Sequence, residues 1–239
     1  MKPFQTLDYA KPGGDVAVIT LDRPAAINAY NVRMRDELHE LLSVIEDDPD
    51  VRGVLFKGAG DQGFCAGADL TEFGTAPTQA IARRVRWERD VWGRMLAMRK
   101  PLVAAIHGFC LGSGMEIAAL CDVRIASEDA VFGMPETGWG LIAAAGGTQM
   151  LPRLLGPGAA LDLLLTGRRL DAREAFDLGF VTQVTPREHL ETEALSLLSR
   201  ILAAPSASIA AAKRAVTEGA ELPLEVALAL ERRLGAELS

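Results

Sequence analysis

From Val16 to about Phe132, short apolar runs that read as strands alternate with helical periods, and from about Gly146 onward the signals are largely helical. A chain patterned this way is an α/β core followed by a helical C-terminal region. Val16 to Leu21 (VAVITL) lies between Gly13-Gly14 and Arg23-Pro24, which is strand punctuation. Leu38, Leu41, Leu42 and Ile45 then fall at i, i+3, i+4, i+7, one helical face that Asp47-Asp48-Pro49 ends. Val51 to Phe56 reads as a second strand, and one helix is expected through Trp87, Val91 and Met95 up to Lys100-Pro101. Leu102 to Ile106 (LVAAI) is a wholly apolar strand, followed by the glycine-rich loop HGFCLGSG and a small-residue helix, MEIAALC. Asp122 to Ala126 and Ala130 to Phe132 read as two short strands. GGTQMLPRLL, GAALDLLL, AREAFDLG and three further segments read as helices.

The 239 residues contain no low-complexity break, so one domain is expected. Apolar residues at 49% and charged ones at 24% place the chain among globular proteins, and no apolar run approaches the ~20 residues of a membrane span. The N-terminus MKPFQTLDYAKPGG lacks a signal-peptide centre, and Cys65, Cys110 and Cys121 show neither CxxC spacing nor an even count; a cytoplasmic protein is expected. A net charge of -7 argues against nucleic-acid or anionic-membrane partners, yet leaves room for a locally held anionic ligand.

Three constellations invite a chemical reading. Gly58, Gly60 and Gly63 spell GxGxxG after a strand, but the third glycine opens no helix and no acidic residue follows ~20 positions on at a strand end, as a dinucleotide site requires. FCAGADL and CLGSGMEIA each follow an apolar strand and put Gly or Ala where backbone must turn tightly or lie against a ligand. In the second, Gly112 and Gly114 flank Ser113 just before a helix, whose N-terminal N–H groups lack partners. Two such loops can aim two donors at one carbonyl oxygen, each worth about 3 kcal/mol of barrier. On spacing alone, close helix–strand packing explains the same glycines, and both readings stay open. Finally, Glu116 sits among Met115, Ile117, Ala118 and Ala119 on an apolar helix, while Glu136 follows a proline in FGMPETG. A carboxylate buried in that way needs a purpose or a partner, and burial raises its pKa toward acid/base work near neutrality.

The segments RPAAINAYNVRMRDEL, FCAGADL, KPLVAAIHGFCLGSGMEIAALCDVRIAS, FGMPETGWGLIAAAGGTQMLPRLLG and LTGRRLDAREAFDLGFVTQV together resemble the crotonase, or enoyl-CoA hydratase/isomerase, superfamily over nearly the whole chain. The resemblance implies the ClpP/crotonase-like spiral of β-β-α units over residues 1–190, and a helical C-terminal region over 191–239, part of the same domain, that builds a homo-trimer or a dimer of trimers. It further implies an acyl-CoA thioester as substrate. The N–H groups of Ala68 and Ser113 would form the oxyanion hole, the carbonyl of Ala66 would face the adenine amino group, and Ala68, Asp69, Leu70 and Thr71 would line the CoA groove beside Gly112. Lys213 matches a lysine the family often places near CoA phosphates. Both family glutamates are present, at Glu116 and Glu136, which is the hydratase pattern; isomerisation, dienoyl-CoA hydration, retro-aldol cleavage and a non-catalytic scaffold are the alternatives. In the implied reaction Glu116 takes a proton from water as it attacks the β-carbon and Glu136 protonates the α-carbon, with no metal or cofactor.

Three positions depart from the family pattern. Ser113 stands in place of a glycine, which keeps the donor and adds a hydroxyl. Ala143, Ala144 and Ala145 stand where a Pro-Gly turn is usual. The chain also ends at ERRLGAELS, short of the family's usual closing segment, which commonly contributes to the CoA entrance, so the resemblance carries no lid over to this chain. Cys110 is read as a buried inert thiol, and His39, His107 and His189 as isolated. Trp87, Trp92 and Met95 are read as helix packing, with one available to an acyl pocket.

Overall fold

The computed structural model describes residues 4–238. Five strands run parallel in one sheet: β2 (Val16–Leu21), β3 (Gly53–Gly58), β4 (Leu102–Ile106), β6 (Val123–Ser127) and β9 (Gln183–Thr185), with β1 (Leu7–Ala10) antiparallel on the β2 edge. Parallel strands need cover on both faces, and alternation along the strands shows which side chains go where. Ala17, Ile19, Leu21, Val54, Phe56, Leu102, Ala104 and Ile106 enter the main core. Val16, Val18, Leu55, Val103, Ala105 and Ile125 point the other way, onto Leu190, Ala194, Leu198 and Leu202. Those four belong to α8 (Leu190–Leu202), one apolar stripe at helical spacing, and each buried leucine contributes about 1.5–3 kcal/mol.

A second layer of short segments runs beside the first. β5 (Phe109–Leu111) pairs parallel with β7 (Val131–Gly133), which pairs antiparallel with β8 (Arg169–Asp171). The stretch after β3 joins this layer through bridges of Gly63 to Gly108 and Cys65 to Cys110, and Ala68 bridges onward to Tyr30. Each turn of chain therefore lays a long strand, a short second-layer segment and then a helix. The helices in this series are α1 (Val32–Asp47), the pair α2 (Gln79–Glu88) and α3 (Val91–Ala97), α4 (Ser113–Leu120) and α5 (Gly147–Leu155). α6 (Pro157–Thr166) and α7 (Ala172–Asp177) flank β8, and α9 (Ser206–Gly219) and α10 (Leu224–Ala236) close the chain. α8 begins at Leu190, and its apolar face packs on the sheet.

Several expectations need correction. The stretch read as one helix through Trp87, Val91 and Met95 is two, because Asp90 caps a new helix by accepting from Gly93 N at 3.0 Å. The glycine-rich loop contains β5, and the region after Gly146 contains β8 and β9; three-residue strands are too short for alternation to register. Gly58 and Gly63 of GxGxxG serve backbone contact: a Cβ on Gly63 would stand 2.5 Å from Phe109 N, and the chain beyond enters a β-bridge rather than a helix.

One buried cation anchors α4. Arg124 is 4% exposed, donates to the carbonyls of Ala118, Cys121 and Phe180, and lies over the Phe180 ring at 5.3 Å. It thereby satisfies the carbonyls at the C-terminal end of α4, where the helix dipole favours a positive charge. No single helix among the described residues is long and apolar enough to cross a membrane.

Candidate active site

The site lies where the second layer meets the start of α4. Gly67 and Gly112 touch there: a Cβ on Gly112 would come within 3.6 Å of Gly67 Cα, and one on Gly67 within 3.4 Å of Leu111 O. Both take positive φ, +112° and +48°, which L side chains rarely adopt. Hydrogen bonds between neighbouring turns fix the two loops, with Leu111 N to Cys65 O at 2.9 Å, Gly112 N to Gly133 O at 2.9 Å and Tyr30 N to Gly67 O at 2.8 Å. Buried Asn28 adds two more, donating to Ala59 O and Gly63 O at 2.9 Å each. The residues that follow the touching glycines are Ala68 and Ser113. Among the described residues neither backbone N–H has a protein acceptor, and that of Ser113 opens a helix. Gly114 carries the packing role instead, since a Cβ there would stand 2.3 Å from Cys65 O. Close packing therefore accounts for Gly114, while Gly67 and Gly112 lie where the two loops meet.

Glu116 lies in the first turn of α4, 3% exposed. Its Oε1 accepts from Ala145 N at 2.9 Å and Gly147 N at 3.0 Å, so the N-terminus of α5 faces the carboxylate. Burial pushes its pKa up, while those two amides, Arg86 and the Ser113 hydroxyl pull it back down. Glu136 opens a 3-10 turn, Glu136–Trp139, behind Pro135. Its Oε2 is buried without a partner among the described residues, and its Oε1 packs against Gly112, where a Cβ would be 2.6 Å away. Burial, opposed by its own backbone amide, and then the charge of Glu116 push Glu136 above the ordinary carboxylate range.

Ala68, Ser113, Glu116 and Glu136 all border one cavity of about 760 Å³. Its walls include Tyr30 stacked on Trp92 at 5.3 Å, with Val85, Ile142 and the expected trio Ala143, Ala144 and Ala145. Asp69 also lines it, but its carboxylate is engaged: it accepts from the Thr71 hydroxyl at 2.6 Å and pairs with Arg23 at 2.8 Å, and both hold its pKa low. Leu70 and Thr71 follow in an exposed 3-10 turn outside the lining, and Ala66 is half-buried with its amide given to Ile27 O. Lys213 is not brought to the cavity. It is 11% exposed, pairs with Asp122 at 2.8 Å and donates to Lys100 O at 3.0 Å, at the N-terminal end of β4, whereas the cavity lies beyond the strands' C-terminal ends.

Cys110 is fully buried and its thiol pKa is pushed well up by burial, as an inert core thiol requires. None of the three histidines lines the cavity. Trp92 does, while Trp87 is exposed and Met95 is core. Three contributors escaped the sequence reading: the amides of Ala145 and Gly147, and Arg86. The free N–H groups at a helix start, argued for CLGSG, are equally implied by AAAGGTQ and were the available signal. Among the described residues no cluster of three or more His, Cys, Asp or Glu is placed to hold a metal ion.

The family model for enoyl-CoA hydratase/isomerase matches residues 12–238. The short-chain-enoyl-CoA hydratase of Clostridium acetobutylicum is 38% identical over 218 residues, 91% of this chain and 84% of its own. The crotonyl-CoA hydratase of Syntrophomonas wolfei is 38% identical over 216 residues, 90% and 83% of the two chains. Among solved structures, an enoyl-CoA hydratase from Bacillus anthracis superposes with a TM-score of 0.92 at 34% identity, covering 97% of this chain and 90% of the other.

Proposed function

The chain belongs to the enoyl-CoA hydratase/isomerase family and has the crotonase fold, and from that premise we propose that it hydrates the 2,3 double bond of a trans-2-enoyl-CoA. The observation that carries this reading is a cavity bordered by two residues whose backbone N–H groups have no acceptor among the described residues and by two glutamates in unlike surroundings. The N–H groups of Ala68 and Ser113 receive the thioester oxygen and stabilise the negative charge that develops on it as water adds to the β-carbon. Preorganised dipoles in a buried site act without reorganising, which is why they count for more there than in water.

The two supports divide the proton work. Two N–H donors on Glu116 favour its charged form, so it serves as the base that takes a proton from water. Glu136, with a partnerless buried oxygen beside a second carboxylate, favours its neutral form and delivers a proton to the α-carbon. The O–H of water and the C=C π bond break, C–O and C–H bonds form, and the glutamates end with their proton exchanged. Transfer between them or through solvent resets the site. The pair titrates as a unit, so both limbs of the pH–rate profile belong to it jointly.

Assembly as a homo-trimer or a dimer of trimers is part of the proposal. Val216 and Leu224 on α9 and α10 are 72% and 73% exposed in the single chain, the kind of surface another copy covers. The functional test is incubation with crotonyl-CoA in deuterated water. Loss of the conjugated thioester absorbance, with one deuterium at the α-carbon of a 3-hydroxyacyl product, is expected. A shifted double bond without hydration would instead identify an isomerase, and no exchange at all a scaffold.

A further inference from the structure

Helix α2 lies along the cavity and borders it with Ile81, Val85 and Arg86. Arg84 on the same helix pairs with Glu88 at 2.7 Å and is not in the lining. Arg86 donates through Nη2 to the carbonyl of Ala144. The amide of the next residue, Ala145, is one of the two that hold Oε1 of Glu116. These contacts share one peptide unit: its C=O faces Arg86 and its N–H faces Glu116. Because a peptide is planar and trans, its carbonyl and N–H point in opposite directions, so a cation that holds one end aims the other. Polarisation of the carbonyl also strengthens the donor at the far end of the same unit. The surrounding backbone, Ala143 to Ala145 followed by Gly146 at φ +103°, contains no proline to restrain that peptide.

We propose that Arg86 is a positioning residue that orients the Ala144–Ala145 peptide toward Glu116, coupling the seating of α2 over the cavity to the alignment of the catalytic carboxylate. This rests on the role given to Glu116 above. The groups facing Glu116 are the Ala145 and Gly147 amides at the start of α5, the Ser113 hydroxyl on its own helix, Glu136 from the 3-10 turn, Cys65 from the second-layer loop and Arg86 from α2. Arg86 is the cation of that set. Its loss removes a positive charge and releases a donor, and both changes favour the protonated form of Glu116.

The test compares wild type with R86M, R86K and R84M, by kcat and KM on crotonyl-CoA across pH and by NMR titration of the Glu116 carboxyl carbon, assigned with E116Q. R86M is expected to lower kcat about tenfold with KM little changed. Its acid limb and the Glu116 titration should both move to higher pH. R86K should recover part of each change, and R84M should match wild type. Unchanged kcat and titration in R86M, or an effect confined to KM, overturns the proposal. The NMR arm needs no substrate. A wild-type protein inactive on crotonyl-CoA would therefore count against the proposed reaction while the role of Arg86 is still decided by the titration.

Discussion

Helix α4 and the 3-10 turn at Glu136–Trp139 each present a glutamate to the same cavity, on supports that differ in kind. Glu116 projects from the first turn of a fully buried helix and meets the N-terminus of another, with two amides on one oxygen. Glu136 projects from a short turn and leaves an oxygen buried without a partner among the described residues. Burial raises the pKa of both, opposed at Glu116 by the amides of Gly147 and Ala145 and at Glu136 by its own backbone amide. In the proposed reaction, two identical side chains take opposite protonation tasks because of what the backbone offers each of them.

The largest expected effect is on rate. Replacing either glutamate by glutamine should cost about 10²–10⁴-fold in kcat, with KM for crotonyl-CoA changed far less, since proton transfer and not binding is lost. Steady-state kinetics checks this, and a Glu136→Gln enzyme within tenfold of wild type would break the division of labour.

A subtler break of the comparison uses the glycine beside each carboxylate. On Gly147 a Cβ would meet Ala143 Cβ and Met134 Cε at 2.7 Å and Glu116 Oε1 at 3.0 Å. On Gly112 it would stand 2.6 Å from Glu136 Oε1, at φ +48°. Gly147→Ala overfills a packed core and should cost about 1–3 kcal/mol of stability as well as activity. Gly112→Ala pushes against a side chain whose other oxygen is unbonded, but strains the backbone that leads into the Ser113 amide, so the rate should fall more than the melting temperature does. Thermal melts set beside kcat for the two variants decide the point.

The smallest effect is on stability and depends on pH. A carboxyl whose pKa is raised by folding binds its proton more tightly in the native state. Its contribution is complete below the unfolded value, about 4.3, and is lost as pH rises through the higher native value. Glu136→Gln removes that loss, so its Tm advantage over wild type should be absent in acid and grow through this window. A higher Tm than wild type is therefore expected near neutrality and none in acid, read by thermal melts across pH. Glu116→Gln gains less, because the two amide bonds already support the ionised form there.

Much of this is legible in the sequence. The long strands and most of the helices follow from apolar spacing, and burial of Glu116 follows from Met115, Ile117, Ala118 and Ala119 around it. The second layer was largely hidden, because three-residue strands such as β5 and β8 carry too few side chains to show a period. Lys213 was misplaced for a related reason. A lone lysine in a helical sequence has no direction, and its partner Asp122 lies 91 residues away.

Local rules sufficed wherever a property depends on neighbours along the chain. Helix starts, glycines at positive φ and an acid set among apolar residues are of this kind, because sterics and solvation act at the scale of a few residues. Folding alone decided which amides lack an acceptor, which carboxylate gains two donors and which oxygen is left bare. Those outcomes depend on α2, α4, α5 and the Glu136 turn converging on one space, and hydrogen bonds and desolvation act only at the short distances that convergence creates.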